Sequence, residues 1–236
     1  MRTLKTLATV SFLAAVLAAG ASAANAASVV DVQFSRDAGL QQTGAAVIGS
    51  AGDTWNDFLG NVGSGSLVDA TGAASGISLS FSAALVYESD PGFTAFTGTP
   101  WANLMQGYLV DYDWSNGIDL KFSGLVPGQA YGFWIYTQGD NNSDQRQLNL
   151  SANGGAVQFA QQASGDNTFV LGRNYTYLTS FADSNGVVDI FARDLNGEAN
   201  INGVQLMAVP ESSSLALMLA GFVFFGGAVL RKSRAR

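Results

Sequence analysis

The chain has 236 residues, with 11 Lys and Arg against 18 Asp and Glu, a formal charge of −7, and neither histidine nor cysteine. The missing histidine excludes Ser-His-Asp and Cys-His catalysis and His-ligated metal centres, and the missing cysteine excludes disulfides, thiolate metal sites and thiol nucleophiles. Nucleic acid is excluded as a partner by the acidic balance, because Arg2, Lys5, Arg231, Lys232, Arg234 and Arg236 crowd the two ends and only Arg36, Lys121, Arg146, Arg173 and Arg193 lie between them.

The first segment has the three parts of a secretory signal peptide. Arg2 and Lys5 make a positive start, Leu7 to Ala19 is apolar, and Ala21-Ser22-Ala23 or Ala24-Asn25-Ala26 supplies the small residues that a signal peptidase needs. This predicts a signal-peptide helix within residues 1–26, cleavage at Ala24 or Ala26, and a mature domain over 27–208, long enough to bury a sizeable core.

Within that domain the apolar residues recur mostly with period two. Val30, Val32 and Phe34 alternate with polar residues as a first strand, and a Gly-rich stretch from Ala38 to Asn61 follows. Ile77, Leu79, Phe81, Ala83 and Leu85, separated by Ser78, Ser80 and Ser82, make the clearest strand, with the serines toward solvent. From Glu88 to Tyr112 the alternation breaks. There Thr99 suits an N-cap, Pro100 the first helical position, and Trp101, Leu104, Met105 and Tyr108 one apolar face, which predicts a short helix lying on a sheet.

Strands resume at Ile118, Leu120 and Phe122, and Pro127-Gly128 marks a turn. Tyr131 to Thr137 is apolar on both faces, as a central strand is, and Leu148 to Ala152, Val157 to Ala160, Tyr175 to Phe181, Val187 to Ala192 and Ile201 to Met207 complete the set. Asn153-Gly154-Gly155 and Asn185-Gly186 are the turns among them. About nine short strands with one helix predict an all-β, antiparallel sandwich.

Sugar recognition needs an exposed aromatic face and amide or carboxylate groups to hold hydroxyls. Tyr112, Asp113, Trp114 and Asn116 offer that mixture in one loop, and Arg146 closes a second polar loop that begins at Asp140. These five residues form the candidate ligand site, while Trp55 and Trp101 are expected in structural positions. Calcium could use the oxygens of Asp140 to Asp144, but the spacing is not that of an EF-hand and a solvated hairpin loop accounts for the same residues, so neither a cofactor nor a metal site is predicted. Glu88 with Asp90 and Asp111 with Asp113 are the carboxylate pairs that a glycan-active enzyme would need, but neighbours at i and i+2 sit side by side on a strand, and the expectation is a non-catalytic domain.

The chain closes on Val209-Pro210-Glu211, a Ser-rich spacer, an uncharged run from Leu215 to Leu230, and the cations Arg231, Lys232, Arg234 and Arg236. At about 1.5 Å per residue the run reaches roughly 24 Å as a helix, enough for a thin bilayer. The basic end predicts a terminus held on the cytoplasmic side with everything before it facing out. Residues 209–236 resemble the PEP-CTERM sorting signal of Gram-negative bacteria, with Ser212 standing where the family usually has a second proline. The resemblance implies a transmembrane helix over 215–230, membrane lipid and an exosortase-type protease as partners, cleavage near Val209, Pro210 and Glu211, and delivery to the cell surface or outside the cell. An ordinary uncut anchor is the alternative.

Trp55-Asn56, the run Phe122-Ser123-Gly124-Leu125-Val126-Pro127-Gly128-Gln129-Ala130-Tyr131, and Ile201-Asn202-Gly203-Val204-Gln205-Leu206 resemble the galactose-binding-like jelly rolls found upstream of such tails. That resemblance implies a jelly-roll ectodomain with carbohydrate bound, where it is bound, by loops at one end. The resulting expectation is an exported, non-catalytic surface or matrix protein in an exopolysaccharide-rich envelope. A carbohydrate-binding lectin and, more remotely, a glycan-active enzyme are the alternatives.

Overall fold

The computed structural model describes residues 28–112, 116–140, 146–162, 165–195 and 197–210. The signal segment with Ala24 and Ala26, the tail from Glu211 onward with Leu215, Leu230, Arg231, Lys232, Arg234 and Arg236, and the loop residues Asp113 and Trp114 lie outside these. Among the described residues no helix is long and apolar enough to cross a membrane.

The fold is an antiparallel, jelly-roll-type β-sandwich, and the described residues form fourteen strands rather than about nine. In chain order these are β1 (Val30–Ser35), β2 (Trp55–Leu59), β3 (Val62–Val68), β4 (Ala74–Ser82), β5 (Leu85–Glu88), β6 (Gly107–Tyr112), β7 (Ile118–Ser123), β8 (Ala130–Tyr136), β9 (Gln147–Ala152), β10 (Gln158–Gln161), β11 (Tyr175–Phe181), β12 (Val188–Asp194), β13 (Glu198–Ile201) and β14 (Gly203–Ala208). One sheet has the order β11-β8-β14-β1-β2, the facing sheet β10-β9-β12-β7-β4-β3, and a third, β13-β6-β5, lies at one end. Among the described residues all pairings between strands are antiparallel except β1 with β2, which run parallel from Asp31 opposite Trp55 to Ser35 opposite Leu59.

Period two builds the main core. Val30, Val32 and Phe34 of β1, Phe133 and Ile135 of β8, and Val204 and Leu206 of β14 point inward to meet Leu79, Phe81, Leu120, Phe122, Leu150 and Ile190 from the second sheet. The extra strands come from places where side-chain pattern is weak. β3 reads Val-Gly-Ser-Gly-Ser-Leu-Val, and its glycines are required by packing, because a Cβ at Gly63 would stand 2.8 Å from the Phe81 ring and one at Gly65 3.1 Å from Phe58.

The predicted helix is shorter than expected. α1 covers only Ala102–Gln106, Trp101 occupies its cap position without a side-chain cap, and Tyr108 belongs to β6. Gly107 makes the change from helix to strand with extended backbone, and a Cβ there would meet the Phe34 carbonyl at 2.6 Å and Ser35 Cα at 2.9 Å. β6 therefore presses on β1 at this point, and that long-range contact overrides the local helical pattern.

β1 is buried on both faces because its outer face is covered too. Trp55, Phe96, Leu104, Met105 and Tyr136 form a second cluster over the five-stranded sheet, joined by Trp101, Trp134, Phe169 and Tyr175. The indole N–H groups of Trp55 and Trp101 donate to the carbonyls of Gly44 and Ala45 at 2.8 and 3.0 Å, so both rings are structural and pin the Gly-rich loop down.

The Val126-Pro127-Gly128-Gln129 turn is as expected, with Gly128 at φ +76° and Gln129 N–H donating to Val126 O at 3.1 Å. Tyr131 completes it, its hydroxyl accepting the Val126 N–H at 3.0 Å. Gly124 is more demanding: its φ is +79° and a Cβ would collide with the Gly76 carbonyl, whereas a Cβ at Gly128 meets nothing. Gly124→Ala is expected to cost more than about 2 kcal/mol and Gly128→Ala only about 1, measured by thermal denaturation; equal costs would mean that the collision is relieved by a local shift.

Candidate functional site

The third sheet sets out a row of polar and aromatic groups. Glu198 pairs with Tyr112, Asn200 with Val110, and Tyr87 with Tyr108, so Tyr87, Tyr108, Tyr112, Glu198 and Asn200 share one face of β5, β6 and β13. Tyr87 and Tyr108 have ring centroids 5.5 Å apart. Tyr108 is buried and Tyr87 is exposed.

Arg146, at the start of β9, reaches into this face. Its Nη1 lies 2.7 Å from Glu198 Oε1 and 3.2 Å from Asp140 Oδ1. Asn200 donates to Glu198 at 2.7 Å and accepts from Gln162 Nε2 at 2.8 Å, and Gln162 also accepts the Gly139 N–H at 2.9 Å. Gly139 has no room for a side chain, since a Cβ would run into Arg146 Nη1 and stand 3.1 Å from Asn200 Oδ1. Burial pushes the Glu198 carboxyl above its ordinary range, opposed by the Asn200 hydrogen bond and the Arg146 charge. Burial likewise raises the Tyr108 and Tyr112 hydroxyls.

Of the five predicted site residues, the structure brings Tyr112 and Arg146 together around Glu198. Asn116 is exposed beside Gly117, whose N–H donates to Asp111 Oδ1 at 2.9 Å. Asp113 and Trp114 are outside the described residues. Glu198, Asn200, Gln162, Tyr87 and Tyr108 were not legible as site residues: Tyr108 passes for part of a helical stripe, and Glu198 is a lone acid until β13 places it opposite Tyr112. Its alternation Glu198-Ala199-Asn200-Ile201 is the one local signal that marks it.

Of the carboxylates considered for catalysis, Asp111 and Glu88 have backbone partners, and Asp113 lies outside the described residues. Asp111 Oδ1 and Oδ2 accept the N–H groups of Gly117 and Asp194, holding β6 to the segment before β7 and to the end of β12. Glu88 Oε2 accepts the Asp37 N–H at 3.2 Å. Asp140 and Glu198 both contact one guanidinium nitrogen, Arg146 Nη1. Among the described residues no group of three carboxylates converges as a hard-cation site, and Asp140 itself faces Arg146.

The cluster lies at the opposite end of the sandwich from Ser28 and Val209, near the limits of the described residues. β8 runs about 20 Å from Ala130 to Tyr136, and the cluster gathers just beyond Tyr136. At the Ala130 end, Val209 N–H donates to Ala130 O at 2.8 Å and Gln129 Nε2 to Val209 O at 2.7 Å. An open cleft of about 520 Å³ between Ser28, Asp69, Gly124, Tyr131 and Met207 marks the same end.

No family model matches the chain, and no curated protein does. Among solved structures it is similar to Bacteroides uniformis beta-glucuronidase 2 (13% identity, 77% of this chain, 18% of that one, TM-score 0.45). It is likewise similar to the plant receptor-like kinase ANX2 (10%, 78% and 48%, TM-score 0.45) and to the CBM35 of Cellvibrio japonicus Abf62 (14%, 53% and 83%, TM-score 0.33). This chain therefore spans less than half of the first two proteins, and at these identities and scores the likeness is one of general β architecture and says nothing of ligand or activity.

Proposed function

We propose that this is an exported, non-catalytic surface or extracellular-matrix protein, sorted by its PEP-CTERM-like tail, whose sandwich holds glycan hydroxyls at the end formed by Tyr87, Tyr112, Arg146 and Glu198. The observation that carries the reading is the placement of that cluster at the far end of β8 from Val209 and Pro210. A tail inserted in a membrane directly behind Pro210 would hold the cluster outward, toward whatever surrounds the cell. Aromatic rings with amide and carboxylate acceptors on one small surface suit sugar hydroxyls. Arg146 is matched by two carboxylates, so the site has no spare positive charge for an acidic sugar and suits a neutral one.

The sorting half is tested by the intact mass of the native protein from membrane and extracellular fractions. The expected species starts near Ala27 and ends near Pro210 or Glu211, outside the cell. A species that keeps Arg236 and sediments with membrane would replace sorting by an ordinary anchor. The binding half is tested on a glycan array, where Tyr112→Ala should lose the signal of the parent chain; silence of the folded parent would end it.

A further inference from the structure

The outer face of the five-stranded sheet is covered only in part. The Gly-rich loop, α1 and Phe169 lie over Tyr136, Gln205 and Asp31, with Val47 N–H donating to the Tyr136 hydroxyl at 2.9 Å and Ile48 N–H to Gln205 Oε1 at 3.2 Å. The cover stops at the next stretch of β8 and β11. There Trp134 pairs with Tyr177 and Gly132 with Thr179. Tyr177 is 37% exposed, Phe181 66%, and Thr179 also faces solvent.

Three features give this open part a chemical character. Tyr177 lies down across β8: its hydroxyl oxygen and Cε2 stand 2.8 and 2.9 Å from where a Gly132 Cβ would be, and its ring centroid is 4.8 Å from that of Trp134. Only glycine permits this, and a ring laid along a sheet turns one π-face to solvent. Thr179 Oγ1 and the Tyr177 hydroxyl are hydrogen-bonded at 3.0 Å, and whichever of the two donates, the other keeps a proton to offer a ligand. Finally, β8, β11 and β14 contain no Asp, Glu, Lys or Arg, in a chain of charge −7.

We propose that this open face, centred on Trp134, Tyr177 and Thr179, is a second glycan-binding surface, separate from the cluster around Arg146, and that it takes an extended, uncharged polysaccharide. A pyranose ring offers an apolar C–H face edged by hydroxyls, which matches a flat aromatic flanked by hydroxyl groups. The absence of charge removes both the attraction for acidic glycans and the desolvation cost that a buried charge would bring. Tyr177 and Phe181 are on the same face of β11, roughly 13 Å apart, so a ligand that touches both is a chain rather than a single ring.

Hydroxyl-radical footprinting of the full-length chain in detergent, with and without neutral oligosaccharides of the cello-, xylo- and manno- series and with an oligouronate as control, tests this. Oxidation at Tyr177 and Trp134 should fall at least three-fold with a neutral series and stay unchanged with the uronate. Tyr177→Ala should abolish protection at Trp134 while Tyr177→Trp keeps it, with unchanged circular dichroism showing that both variants are folded. Protection confined to Tyr112 and its neighbours would overturn the second surface and leave the end site standing, and protection at Tyr177 alone would do the reverse. Sedimentation as a dimer that Tyr177→Ala dissociates would assign the face to a second copy of this chain and also overturn the proposal.

Discussion

Asp31→Asn is expected to stabilise the protein, and by more as pH rises. Asp31 is fully buried on β1 beneath the Gly-rich loop; its Oδ1 accepts from Gln205 Nε2 at 2.6 Å, and its Oδ2 has no hydrogen-bond partner. Burial is the main reason that its pKa is pushed up to about 7; the Gln205 hydrogen bond works against the shift and the nearby Asp53 charge adds to it. The folded chain therefore keeps a proton on Asp31 that the unfolded chain releases near the ordinary aspartate value of 3.8. Its contribution is fully present below about pH 4 and is lost as pH rises through 7, because there the native state must hold an ionised carboxylate out of water. Three pH units at about 1.4 kcal/mol each give up to about 4 kcal/mol across that window. Asparagine reproduces the neutral acid and keeps the acceptor for Gln205. Chemical denaturation at pH 4, 6 and 8 should show parent and variant nearly equal at pH 4 and well separated at pH 8. Parallel curves would mean that Asp31 is ionised in the fold at every pH.

Arg146→Ala should be the second large effect, reducing stability by about 2 kcal/mol and loosening the loop end. Arg146, Asp140 and Glu198 have side chains only 20, 25 and 15% exposed, so removing the guanidinium leaves two half-buried carboxylates facing each other. The rescue is diagnostic. Arg146→Met combined with Asp140→Asn and Glu198→Gln removes all three charges together and should recover most of the loss, since apolar packing can replace a buried ion network at little cost. Failure of the triple variant to recover would place the importance of Arg146 in its packing rather than its charge. Glycan binding measured on the same variants separates the roles: if this end holds sugar, the triple variant should fold and still bind poorly, because amide oxygens accept sugar hydroxyls more weakly than carboxylates and the guanidinium donors are gone.

The two effects have one physical origin. Both concern polar groups that the chain carries into places water does not reach, and in both the cost depends on partners far away in sequence: Asp31 on Gln205, Arg146 on Glu198. Tyr136 belongs to the first network, its hydroxyl hydrogen-bonding with Gln205 while it receives the Val47 N–H. The outer loop is thus held by the same side chains that keep Asp31 dry.

What the sequence determined by itself is local and periodic. The alternation in β1, β4 and β7 identified strands and most of their inward residues, although β4 ends at Ser82 and Leu85, expected on its apolar face, is exposed in β5; Pro127-Gly128 identified its turn, and the absence of histidine and cysteine removed whole classes of chemistry. Tyr112 and Arg146 were singled out as aromatic and polar groups beside strand ends, and the structure brings the two together around Glu198. Tertiary structure decided the rest. Period two tells which face of a strand is apolar but not what covers the other face, so the burial of Asp31 and the aromatic layer around Trp55 could not be read from β1 or β2 alone. Gly107 turned a helical stripe into a strand because Phe34 and Ser35 lie against it. Glu198 and Tyr177 acquired their surroundings only through register, opposite Tyr112 in one sheet and Trp134 in another, and pairing between distant strands is set by the packing of the whole sandwich rather than by any short run of residues.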